Sequence, residues 1–202
     1  MEVKYSTSEN HKRQIMEKLI KEILIKIGEN PDRPGLKDTP ARVCKMYKEI
    51  FRGYDPLQRP SISVFKNGSD GITYDQMITD TGDFYSYCEH HMVPFFGRYW
   101  FGYIPDAAGN IIGLSKVARI VDYYSARLQI QERLVQEIVD DLWMELSKNA
   151  VRPIGMGLVI KGEHLCKTMR GVKKKGEMTT IKLKGAFLDN AIVRHEFLNN
   201  IN

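Results

Sequence analysis

Two pairs of soft metal-binding side chains, Cys88 with His91 and His164 with Cys166, stand on opposite sides of a long amphipathic stretch of this chain. A fold that uses both pairs must carry the chain out through that stretch and bring it back to the same place. A catalytic zinc typically takes three protein ligands and keeps a fourth position for water, and two cysteines with one histidine form a recognised set. Cys88 and His91 are three apart, so both side chains of one turn can reach one ion. His164-Leu165-Cys166 reads as part of a strand, where residues two apart point to the same face. Cys88, His91 and Cys166 then complete the protein ligands, leaving His90 and His164 free beside the metal. Any one of these residues alone is more simply a buried core thiol or a satisfied histidine. Their joint occurrence favours a metal site.

The pattern around these motifs predicts an α+β fold. Ile15, Met16, Leu19, Ile20, Ile23, Leu24 and Ile27 form a helical stripe, with a capping box at Ser6-Thr7-Ser8-Glu9 and a stop at Gly28. Asp38-Thr39-Pro40 supplies an N-cap and a helix-opening proline for a second amphipathic helix ending near Gly53. These two helices make residues 1–56 an N-terminal appendage to a catalytic unit at 57–202. A linker with Pro56, Pro60, Gly68 and Gly71 leads to strands at Asp83 to Tyr87 and Phe95 to Ile104. Two helices follow, opening at Leu114 and Gln131 and broken near Arg127 to Ile130. Strand character returns at Gly155 to His164 and Thr179 to Leu188, giving the core order β-β-α-α-β-β.

Three cysteines, an odd number and far apart, are a poor basis for a disulfide framework. With 43 % hydrophobic residues, no apolar run long enough for a bilayer and no apolar leader after Met1, the expectation is a cytoplasmic protein without a membrane partner. The net charge of +5 favours anionic partners without saying which. Lys161, Lys167, Arg170, Lys173, Lys174 and Lys175 surround His164 and Cys166. Lys173 to Lys175 read as a solvated face, whereas Arg170 lies near a candidate ligand and can hold phosphate oxygens bidentately. Lys116 and Arg119 stand near a helix start, where unpaired N–H groups also favour anions. Together they suggest a polyphosphate clamp. Glu132 can accept two hydrogen bonds from the flat donor edge of guanine, though an ordinary first-turn carboxylate is the simpler reading of it in isolation.

Phe84-Tyr85-Ser86-Tyr87-Cys88-Glu89-His90-His91-Met92-Val93-Pro94-Phe95 and Ile112-Gly113-Leu114-Ser115-Lys116-Val117-Ala118-Arg119 resemble signature blocks of the GTP cyclohydrolase I family. Gln129-Ile130-Gln131-Glu132-Arg133, His164-Leu165-Cys166 with Met169-Arg170-Gly171, Gly28-Glu29-Asn30-Pro31 and Asp38-Thr39-Pro40-Ala41-Arg42-Val43 match further blocks in order. Trp100 and Ile181 depart from the family pattern. The resemblance implies a tunnelling fold (T-fold), a four-stranded antiparallel sheet with two helices between its second and third strands. It implies zinc (Zn2+) on Cys88, His91 and Cys166, with His90 and His164 moving protons. GTP would be gripped by Glu132 with Gln131 and Ser115 beside it, its triphosphate by Lys116, Arg119 and Arg170, joined by Arg42 and Lys45 of a neighbouring subunit. It also implies a homodecamer of stacked rings and a product, 7,8-dihydroneopterin triphosphate, that leads to tetrahydrofolate, another pterin or a deazaguanine. The competing readings are a non-catalytic zinc-stabilised module binding nucleic acid through its basic C-terminal third, and a nitrile reductase of the same fold.

Overall fold

The computed structural model describes residues 7–148 and 150–201. The amphipathic stripe near the N-terminus forms α1, Thr7–Lys26, and the next forms α2, Thr39–Ile50. Gly28 ends α1 as expected: it takes φ 91°, and the N–H groups of Gly28 and Glu29 return to Ile25 O and Leu24 O. Ser6, the first residue of the expected capping box, lies outside the described residues. Asp38 does not cap α2; its backbone is already near-helical, and its carboxylate faces Arg42 at 3.6 Å instead. Two compact units divide between Arg52 and Gly53.

The second unit runs β1 Val64–Lys66, β2 Ile78–Cys88, β3 Pro94–Ile104, β4 Asn110–Ile112, α3 Leu114–Ser125, β5 Leu128–Gln129, α4 Gln131–Leu146, β6 Gly155–His164, α5 Leu165–Thr168, β7 Glu177–Gly185, α6 Ala186–Asp189 and α7 Ala191–Asn199. The main sheet has the order β5-β2-β3-β6-β7. Its four long strands are antiparallel, and β5 adds a fifth, parallel edge through Tyr87↔Leu128 and Cys88↔Gln129. The expected four strands are therefore five, and the break between the two central helices is itself a strand. A separate ribbon pairs β1 with β4 inside what reads as linker. The last strand stops at Gly185, short of Leu188, because Gly185 takes φ 56° and a Cβ there would meet Ile154 O at 2.4 Å.

Strand alternation sorts the side chains into two clusters. Phe84, Phe95, Tyr103, Leu158 and Ile160 face Val117, Ile120 and Val121 of α3 and Leu134, Ile138 and Leu142 of α4. Each such fully buried side chain contributes about 1.5–3 kcal/mol. On the other face, Phe187 and Phe197 of the unforeseen α6 and α7 pack on Val159 and Trp100. Gly102 and Gly157 make room for them, since a Cβ at either would lie 2.8 Å from the Phe197 ring. Trp100 also sits under two cations, Arg98 at 5.5 Å and Lys161 at 5.0 Å.

One charged network ties the segment after Gly53 to α4. Arg59 Nη2 donates to Asp141 Oδ1 at 2.5 Å and Glu145 Oε1 at 2.9 Å, and Tyr124 OH donates to Asp141 Oδ2 at 3.0 Å. Asp141 and Glu145 are buried. Arg59→Ala leaves their carboxylates without the guanidinium and is expected to destabilise by about 2–4 kcal/mol, somewhat less than for a fully buried pair. A lower thermal midpoint at fixed protein concentration checks this. Burial alone would raise the Glu145 carboxyl, but hydrogen bonds from Lys148 and Arg59 hold it below its ordinary value. That contribution is present above the unfolded carboxyl pKa of about 4.3 and fades as pH falls through the lowered folded value. The wild-type advantage over Arg59→Ala should therefore narrow on acidification.

Candidate metal centre and active site

β2 ends on Cys88 and β3 begins at Pro94, so the first pair of candidate ligands occupies a hairpin loop. Cys88 N–H donates to Val93 O, and Cys88 O accepts from His91 N–H at 3.3 Å and Met92 N–H at 2.8 Å. Met92 takes φ 56°, a left-handed conformation uncommon for a residue with a side chain. A second restraint comes from β5 and α4. Glu89 N–H donates to Gln129 O at 3.0 Å, and the Glu89 carboxylate pairs with Arg133. Arg133 also donates to Gln129 Oε1 and Leu128 O. Nothing local in the sequence marks this strut, because its two ends meet only when β5 joins β2.

Cys166 is not on a strand. β6 ends at His164, and Cys166 lies in α5, a single helical turn in which Thr168 Oγ1 donates to His164 O at 2.7 Å. His164 and Cys166 therefore do not share a strand face. The turn nevertheless completes the cluster: ligand atoms of Cys88, His91 and Cys166 all lie within 4.8 Å of one another. His90 is beside this set, its Nδ1 3.5 Å from Cys88 Sγ. Burial pushes the Cys166 thiol up, and the adjacent Cys88 thiol adds to the effect. Two thiolates repel one another here, and a bound dication reverses that preference. Arg170 Nη1 lies 2.9 Å from His91 Nε2. A guanidinium can only donate, so this contact sets Arg170 against one of the ligand side chains. Two thiols and an imidazole within reach of one another fit a soft divalent metal ion.

His164 is half-buried at the end of β6. Its ring stacks on Phe95, centroids 4.5 Å apart and planes 7° from parallel, and its Nε2 lies 2.9 Å from Gln131 Oε1. Burial holds its imidazole below the ordinary value, outweighing the opposing pull of nearby Glu132. Gln131, expected beside Glu132 at the substrate, is 0 % exposed, and its Nε2 already donates to Ile160 O, Met178 O and Thr180 Oγ1. Phe95 and the buried amide are the parts of this site that motif spacing does not reveal.

Of the expected anion binders, the structure brings Arg170 to the metal cluster. Ser115, Lys116 and Arg119 lie in the first two turns of α3, with Ser115 and Arg119 exposed. Among the described residues no hydrogen bond or ion pair joins these three to the cluster. Glu132 is exposed in the first turn of α4, immediately after Gln131. Arg42 and Lys45 are exposed on α2, in the first unit, where Arg42 pairs with Asp38.

Residues 16–202 match the family model described as GTP cyclohydrolase I. The GTP cyclohydrolase 1 of Caldanaerobacter subterraneus subsp. tengcongensis is 45 % identical over 191 residues, 94 % of this chain and 97 % of that one. The GTP cyclohydrolase 1 of Thermobifida fusca is 43 % identical over 187 residues, 92 % of this chain and 86 % of that one. The Bifunctional protein FolKE of Lactococcus lactis subsp. cremoris is 42 % identical over 187 residues, 92 % of this chain and 52 % of that one. With nearly its whole length matched and its soft ligands converging on one point, the chain belongs to the GTP cyclohydrolase I family.

Proposed function

We infer that this chain catalyses the family reaction, hydrolysing GTP with water to 7,8-dihydroneopterin triphosphate and formate. This is the first step towards tetrahydrofolate, another pterin or a deazaguanine. The observation that carries the reading is the convergence of Cys88, His91 and Cys166 beside an oriented, half-buried histidine.

Cys88, His91 and Cys166 would hold zinc, which would supply Lewis-acid activation of water at neutral pH. His164 accepts and returns protons as the imidazole ring of the purine opens at C8, because burial favours its neutral form at pH 7. His90, exposed beside Cys88, serves the second proton transfer. Glu132 grips the N1–H and amine edge of guanine, with Ser115 near it. Lys116, Arg119 and Arg170 hold the triphosphate, and Arg42 and Lys45 reach it from a neighbouring subunit. Residues 57–202 carry the catalysis, on a T-fold core, in a cytoplasmic homodecamer of stacked rings. Exposed Ile15, Leu19, Ile23 and Ile27 on and just after α1 support an assembly that covers them. No helix among the described residues is long and apolar enough to cross a membrane.

Purified zinc-loaded protein incubated with GTP should release formate and yield a pterin that fluoresces after oxidation. A chelator should abolish both and zinc restore them; absence of both products from zinc-loaded protein overturns the reading. Glu132→Gln removes the charge and one of two acceptors at the guanine edge. It should weaken GTP recognition roughly ten- to hundredfold, the usual worth of hydrogen bonds to a charged group. Measured discrimination between GTP and ATP that stays at the wild-type level contradicts the assignment.

A further inference from the structure

We propose that Gln131 is a positioning residue, which fixes the orientation and the proton-bearing nitrogen of His164 instead of reading the substrate. The proposal rests on the functional reading above, since it assigns a task within that reaction. Gln131 opens α4, and its side chain crosses to the carbonyls of β6 and β7: Nε2 lies 3.0 Å from Ile160 O and 2.9 Å from Met178 O, with Thr180 Oγ1 at 3.1 Å. Backbone carbonyls only accept, so the amide NH2 must face the strands. A flipped amide would set its oxygen against two carbonyl oxygens in a buried site, at the cost of unsatisfied partners. The orientation of Gln131 is therefore determined by the sheet.

That orientation determines the histidine. Oε1, 2.9 Å from His164 Nε2, can only accept, so Nε2 carries a hydrogen. In the neutral ring the lone pair is then on Nδ1, the nitrogen turned away from Gln131. Stacking on Phe95 removes the remaining freedom of the ring plane. β6 is shaped around this contact: a Cβ on Gly162 would stand 2.6 Å from Gln131 Oε1 and 3.1 Å from Phe84 Cζ. Gln131 is 0 % exposed, both its amide hydrogens are engaged and its oxygen is taken by His164, so the side chain is committed to the protein and not to the donor edge of a guanine.

Two variants separate the roles. Gln131→Met keeps the bulk and removes the hydrogen bond, and Gly162→Ala keeps the amide but crowds its oxygen away from His164. With zinc content unchanged, each should lower kcat for GTP roughly tenfold to a hundredfold, part of the 10²–10⁴ that a general acid–base residue contributes, while KM stays within about twofold. A raised KM at unchanged kcat, or no effect on either, overturns the proposal. A third measurement uses the zinc-loaded wild type, so a variant that fails to fold does not block the test. In protein labelled with 15N-histidine, the His164 resonances, identified by their loss in His164→Ala, should report the Nε2–H tautomer. The Nδ1–H tautomer overturns the proposal. Wild-type protein without GTP turnover would instead sink the functional reading, and the tautomer measurement would still decide the role of Gln131.

Discussion

Cys166→Ala protein is expected to lose its zinc and its GTP turnover together. Two remaining ligands, Cys88 and His91, both come from one hairpin loop and cannot enclose an ion that needs three protein donors. Turnover should fall by on the order of 10³ or more, because water loses the activation that brings its pKa from 15.7 to about 7. Folding should survive. Cys166 sits on the one-turn helix α5 and is only partly buried, so the packing between the sheet and the two central helices is retained. Metal analysis alongside a formate assay checks the result, and a variant that keeps stoichiometric zinc with normal turnover refutes the ligand set.

His164→Ala is expected to dissociate those two readouts: zinc stays and turnover falls by about 10²–10⁴, the usual contribution of a positioned acid–base group. The imidazole touches Gln131 and Phe95 and is outside the cluster of ligand atoms, so its removal leaves the metal donors in place. Loss of the stack on Phe95 should cost a further 0.5–1.5 kcal/mol of stability, roughly the worth of an aromatic pair. Zinc loss equal to that of Cys166→Ala, or unimpaired turnover, would mean that His164 is a ligand or a bystander. The contrast between the two variants is informative because the residues are only two apart in sequence and differ in the element that carries them.

That difference also marks how far the sequence alone reaches. Helical and strand periodicities are local, so α1, α2, α3, α4 and β6 can be placed from spacing, and the ligand types can be picked out from the Cys88-Glu89-His90-His91 and His164-Leu165-Cys166 motifs. Chain order also carries the two central helices between the second and third long strands. Other features depend on partners distant in sequence. β1 and β4 are too short to show alternation and exist because they pair with each other. α7 has no strong amphipathic pattern and is held by Phe197 packing where Gly102 and Gly157 leave room.

The site divides along the same line. The sequence determined which atoms could hold a metal, since thiol and imidazole chemistry belongs to the residues themselves. Only the tertiary structure decided that Cys166 reaches the cluster from a helical turn and that Gln131 is buried. At the first turn of an amphipathic helix a glutamine looks like a surface residue. Its environment is set by the carbonyls of Ile160 and Met178, which come from two other strands and meet it only once the sheet has closed against α4.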